Sequence, residues 1–312
     1  MLQTIRSVLR VTLCALCIFA LPEFASAQQT AHVAYLEGQI LLQTPLVERV
    51  PLQIGDELPS KGVLILSDTA LLELDLPTGR ILLTQPGSYE LERIMGRSTA
   101  TPSRELGAMV GTRLRSMSFD SPSSRGSVAA GVRGTEAESS DTALPWAAGE
   151  LADELVAEAV AYLESGLYLT ARETLEDATS LGAEGPELTF LLGYLSYLSE
   201  DLPGAYRRLS TMALDPDTIY YETHALVLAQ LYYDGFAFSD ASAVLQPVVE
   251  RQLNASDELE FEPLALLVLS LYAAGRPEEA RSYITRIEES SLPQGREYAE
   301  QLRNLDRQAL EL

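Results

Sequence analysis

The chain predicts two folding units of different class: an all-β module in its N-terminal part and an all-α superhelix of paired helices in its C-terminal part. Three observations lead there. Between residues 31 and 93, short apolar runs alternate with turn residues, and no helix-length segment lies between them. From Glu150 onward the apolar period lengthens to three and four residues. Within that second half, a small residue and an alanine recur twelve positions apart, four times over.

The chain opens with Arg6 and Arg10, the apolar stretch VTLCALCIFAL (11–21) and the small-residue site Ala25-Ser26-Ala27. This pattern predicts a secretory signal peptide over residues 1–27, cleaved before Gln28. A bilayer crossing takes about 20 apolar residues, so no stable membrane span is expected after cleavage. An uncleaved inner-membrane tether is the alternative. Periplasmic or cell-envelope localisation follows. Cys14 and Cys17 both lie in the signal and neither follows a lipobox-like small residue. The mature chain therefore has no disulfide, thiol nucleophile or thiolate metal ligand. His32 and His224 are its two histidines, far apart in sequence, which is little material for a zinc site or an acid/base pair.

The β module takes shape run by run. HVAYLEGQILLQT holds two strands broken at Glu37-Gly38, and VPLQIGDEL carries a turn at Gly55-Asp56. Four further strands are expected at 63–66, 70–75, 80–84 and 89–93, giving a compact sandwich or short β-solenoid. LLELDL alternates imperfectly, which predicts one face in the core and the other partly covered. Residues 98–127 are polar and read as a loosely ordered insertion. The Gly131-Val132-Arg133-Gly134-Thr135 stretch after it reads as a tight closing strand, with Arg133 as a candidate ligand contact. It lacks the G-K-[ST] ending of a phosphate loop.

The order of Gly38, Val50-Pro51-Leu52 before Gly55-Asp56, the Ala70-Leu71-Leu72-Glu73-Leu74 strand, Pro77-Thr78-Gly79-Arg80 and Gly131–Glu136 resembles the FecR domain family. The resemblance spans about residues 31–138, and VRGTE is its most specific part. It implies an extracytoplasmic β domain used for interaction or signal relay, with no chemistry of its own. EAESSDTALPW does not continue it as strands, so residues 139–149 read as a linker.

Residues 150–291 divide into four helix pairs. The paired positions are Ala159 and Ala171, Gly193 and Ala205, Ala229 and Ala241, and Val268 and Ala280. Leu192-Gly193, Tyr197, Ala205 and Leu209, and the stretch YAAGRPEEA with Tyr272, Gly275 and Ala280, resemble the tetratricopeptide repeat. Small residues let helix backbones approach while Leu and Tyr fill the space between. Residues 292–312 form a capping helix with apolar Tyr298, Leu302, Leu305 and Ala309 at helical spacing.

Such arrays hold extended segments in the groove made by the first helix of each pair. The repeat register places Tyr194, Tyr197, Gln230, Tyr233, Asp234, Leu269 and Tyr272 there as candidate partner contacts, with packing between repeats as the competing role. Charge narrows the partner. Residues 28–146 carry 14 acids and 10 bases, while residues 147–312 carry 30 acids and 10 bases. An excess of that sign repels phosphate backbones, so nucleic acid is not expected, and it favours proteins with basic segments. No Ser-His-Asp set, HExxH, phosphate loop or Cys cluster occurs, so no catalysis, cofactor or metal is expected. These features describe an exported adaptor or scaffold. The alternatives are a protein that binds peptidoglycan or another envelope glycan, and a FecR-type relay regulator.

Overall fold

The computed structural model describes residues 30–45, 48–96, 145–255, 259–290, 292 and 294–310. Among the described residues the β module has eight strands: β1 (Ala31–Glu37), β2 (Ile40–Gln43), β3 (Val50–Pro51), β4 (Glu57–Leu58), β5 (Val63–Leu66), β6 (Leu71–Leu76), β7 (Gly79–Leu83) and β8 (Gly87–Glu90). They form two four-stranded antiparallel sheets, ordered β4-β1-β6-β7 and β3-β2-β5-β8. Alternation fixes which face is apolar. Val33, Leu72 and Leu74 of the first sheet share one core with Ile40, Leu64 and Leu66 of the second.

The predicted strand 89–93 is corrected. β8 ends at Glu90 and the chain turns into a short helix, α1 (Leu91–Gly96). Leu91, Ile94 and Met95 are its buried residues, spaced i, i+3 and i+4, and they close one end of the sheet core. The insertion 98–127 and the Gly131–Thr135 motif lie outside the described residues.

Among the described residues nine helices follow: α2 (Pro145–Glu164), α3 (Tyr168–Ser180), α4 (Pro186–Leu198), α5 (Leu202–Leu209), α6 (Tyr221–Asp234), α7 (Phe238–Ala255), α8 (Phe261–Ala273), α9 (Pro277–Glu289) and α10 (Gly295–Leu310). The linker reading of 139–149 is corrected at its end, because α2 already begins at Pro145, a residue suited to the first helical turn. The helices pack as consecutive pairs, α2 on α3, α4 on α5, α6 on α7 and α8 on α9, with α10 against both α8 and α9. The first helices α4, α6 and α8 also touch in sequence.

One turn geometry joins the two helices of every pair. The backbone N–H of Leu167, Asp201, Ala237 and Arg276 reaches back to the carbonyl five residues earlier, on Tyr162, Ser196, Tyr232 and Leu271, at 2.8–2.9 Å. Each of those four residues lies four positions before the recurrent alanine and accepts from its N–H. Ala171, Ala205, Ala241 and Ala280 are all fully buried. Between the twelve-spaced residues, Gly193 shows why the position is small: a Cβ there would lie 2.7 Å from Leu209 Cδ2.

The residue before each of these turn donors adopts a left-handed backbone: Gly166 (φ 73), Glu200 (φ 60), Phe236 (φ 63) and Gly275 (φ 75). Glycine takes this conformation without penalty, whereas a residue with Cβ pays for it. The outer pairs obey that rule and the two middle pairs break it.

Candidate functional site

The seven side chains expected in a groove do not share one surface. Tyr194 is 0%, Gln230 3%, Tyr233 6% and Leu269 6% exposed, so the expectation of an open groove is corrected for these four. They sit in the helical core because the first helices of successive pairs close against one another. Tyr194 stacks on Phe190 with centroids 5.8 Å apart, and Phe190 stacks in turn on Tyr220 at 5.1 Å. Tyr233 meets Phe238 edge-on at 5.4 Å. Tyr197, Asp234 and Tyr272 stay half-buried.

Tyr197 and Asp234 instead face the β module, which docks across the turns of the two middle pairs. The contact starts with the outer face of the first sheet. Register shifts between Val33 and Tyr35 in β1, a bulge. Past it, Tyr35 stands opposite Glu73, and Tyr35 and Glu37 both point away from the sheet core. Arg207 of α5 meets them there, donating to the Tyr35 hydroxyl and to Glu37 Oε2 at 2.7 Å, its guanidinium 5.2 Å from the Tyr35 ring centre. The guanidinium holds the Glu37 carboxyl below its usual range. This pair is solvent-exposed and screened by salt.

Leu82 of β7 also points outward, yet it is only 1% exposed. It does not belong to the sheet core, and Leu202 and Leu231 of the helices share a cleft wall with it. Directly above β7 sits Gly235, where an added Cβ would lie 2.2 Å from the Leu82 carbonyl oxygen. Its neighbour Phe236 packs against the sheet core and meets Tyr89 of β8 edge-on at 6.4 Å. Gln85 Nε2 donates to Asp240 Oδ2 at 2.8 Å, tying the end of β7 to the start of α7. The left-handed Phe236 therefore places a ring against the β module that glycine does not have.

A cleft of about 380 Å³ opens beside this contact. Asp75, Arg80 and Leu82 line it from the sheet, and Tyr197, Glu200 and Asp234 from the helices. Glu200 is the second left-handed non-glycine residue. Buried Gln230 donates to Asp234 Oδ2 at 2.7 Å and so fixes that carboxylate. Next to Asp75 on the strand, two residues on and so on the same sheet face, Glu73 is 5% exposed. Arg80 Nη1 lies 3.7 Å from its Oε1, an ion pair too long for a hydrogen bond, and among the described residues no donor bonds that oxygen. Burial pushes the Glu73 carboxyl up. Arg80 opposes this, and Asp201, Asp75 and Glu200 add to it. Asp240 is also pushed up, by burial.

A carboxyl raised above its ordinary value of 4.5 in the folded chain contributes stability below pH 4.5, and that contribution is lost as pH rises through the raised value. Glu37 acts in the opposite sense and in a lower window: its contribution holds above 4.5 and is lost as pH falls through its depressed value. Glu73→Gln is expected to raise Tm at pH 7 relative to the parent and to show no advantage at pH 4. An equal Tm difference at both pH values, read by calorimetry, contradicts it.

Sequence reasoning missed Asp75, Arg80, Leu82, Glu200, Gly235 and Phe236. A signal was present: aligned on the recurrent alanines, the turn position that is Gly166 and Gly275 in the outer pairs is Glu200 and Phe236 in the middle pairs. His224, one of the two histidines of the sequence, is structural: its Nε2 lies 2.9 Å from the Leu209 carbonyl, and burial depresses its basicity. Among the described residues no group of three or more His, Cys, Asp or Glu is placed to hold a metal ion, and no helix is long and apolar enough to cross a membrane. No protein-family model matches the chain, and a search of curated proteins finds no match either.

Proposed function

We propose that this chain is an exported, non-catalytic adaptor of the periplasm or cell envelope. In this reading a FecR-like β domain and a tetratricopeptide-like superhelix act together to hold protein partners that carry basic segments. The observation that carries it is the shared turn geometry of four helix pairs, with the same hydrogen bonds and the same buried alanine in each. Repeated hairpins of this kind stack into extended surfaces suited to holding chains. The docking of the β module on two of the turns supports a composite surface rather than two independent units. The half-buried Tyr197 and Tyr272 keep the place of partner contacts in this reading, and the acidic excess of the helical half sets the partner's charge.

The test is site-specific photo-crosslinking in cells, with benzoylphenylalanine at Tyr197 or Tyr272 and, as controls, at the exposed Glu176 or Glu297. A discrete adduct to the same protein from both tyrosine positions, absent from the controls, is the expected result. Adducts that are absent, or alike at all four positions, count against the adaptor.

A further inference from the structure

We propose that the cleft between the β module and the middle turns receives a single arginine side chain projected by an extended segment of a partner protein. This names the partner chemistry within the adaptor reading and rests on it. Three features converge. The first is charge: among the described residues, Asp75, Glu200 and Asp234 line the cleft with one cation, Arg80. The described ion pair of Arg80 goes to the carboxylate behind, Glu73, and is 3.7 Å long. A guanidinium offers five N–H donors in a rigid fork and suits several carboxylates at once.

The second is the buried Glu73 itself. A carboxyl oxygen at 5% residue exposure for which the described residues offer no donor is costly, and its ion-pair partner Arg80 lines the cleft, so positive charge bound there adds to the one favourable field acting on Glu73. Every charged group acting on it lies on an element of this contact: Arg80 and Asp75 on the strands, Glu200 and Asp201 on the turn between α4 and α5. Asp201 is otherwise engaged, its Oδ1 accepting from Gly204 N at 3.0 Å to cap α5. The third feature is apolar. The half-buried Leu198 and Leu202 also line the cleft, and they supply the surface along which an arginine's methylene stem lies while its head reaches the acids. The two acids from the helical side come to the cleft by different means. Asp234 is oriented by Gln230, and Glu200 projects from a left-handed turn position that glycine fills elsewhere.

The experiment is an amide-resolved NMR titration of the chain from Gln28 to Leu312 with acetyl-Gly-Arg-Gly-amide, and with acetyl-Gly-Gln-Gly-amide as the uncharged control. Saturable shifts at Gly79, Arg80 and Glu200 with the arginine probe alone are expected. The Glu200→Gln/Asp234→Asn variant should weaken binding by about fivefold or more, and added salt should weaken it too. Binding by the parent should be tighter at pH 7 than at pH 5, because a guanidinium favours ionised Glu73, and Glu73→Gln should reduce that difference. Shifts that are absent, that appear equally with the glutamine probe, or that survive the double substitution unchanged overturn the site. Cross-links from Tyr197 and Tyr272 with a silent cleft overturn the site and leave the adaptor standing. Cleft binding with no cross-link overturns the adaptor and leaves the site.

Discussion

Replacing Gly235 by alanine is expected to lever the β module off the helical array while both units stay folded. The added methyl would sit 2.2 Å from the Leu82 carbonyl oxygen. Backbone atoms cannot rotate away as a side-chain tip does, so β7 must retreat by about 1 Å or more in a closely packed interface. The turn itself is not the obstacle. Ala274 occupies the same position in the last pair with φ −77, against −81 for Gly235, and the same hydrogen bonds form around it. What the methyl strikes hardest is the β module, since its other close neighbour, the Leu231 carbonyl oxygen, lies at 3.2 Å. Withdrawal would loosen buried Leu82, the Phe236–Tyr89 contact and the Gln85–Asp240 bond together. The expected loss is about 1–3 kcal/mol, the range of overpacked interior sites. Small-angle scattering should report a larger radius of gyration for Gly235→Ala. Unchanged scattering and an unchanged melting curve would refute the docking described above.

Phe190→Ala is expected to cost about 3–5 kcal/mol, the usual range for removing a buried aromatic ring. Phe190 is 0% exposed and stacks between Tyr194 and Tyr220, with His224 edge-on at 6.2 Å. Those rings come from α4 and from the entry to α6, so the cavity would lie where the second pair meets the third. In a chain of this size each kcal/mol lowers Tm by about 2–4 °C, which places the shift near 10 °C. Denaturant unfolding should show a lower midpoint with the slope preserved. A loss below about 1 kcal/mol would mean that the neighbouring helices collapse into the space, and that the stack is not a junction between pairs.

The four buried alanines were legible in the sequence because each needs a small side chain at a helix crossing, and that need repeats with the pair. The strands were legible where apolar and turn residues alternate. The helix after β8 was not, because ELERIMG is too short for its period to stand out from a strand. The groove reading failed at Tyr194, Gln230, Tyr233 and Leu269 for a different reason. Register tells which positions share a face, but not whether neighbouring helices close over that face. The β module's docking left weaker marks. LLELDL with its imperfect alternation, an outward Leu82, and two missing turn glycines each hint at a covered surface. None of them names the cover, since the partners lie more than a hundred residues away in the chain.

The left-handed Glu200 and Phe236 also set how this architecture can grow. They serve adjacent hairpins, and the β module bridges both at once, so the distance between those two turns is a fixed length in the design. Duplication of a hairpin between them would separate the two anchors by one unit and strand the β module on a single foothold. Hairpins added before the first or after the fourth would disturb neither anchor. Lengthened descendants of this chain are therefore expected to gain units at the ends and to keep the central two contiguous.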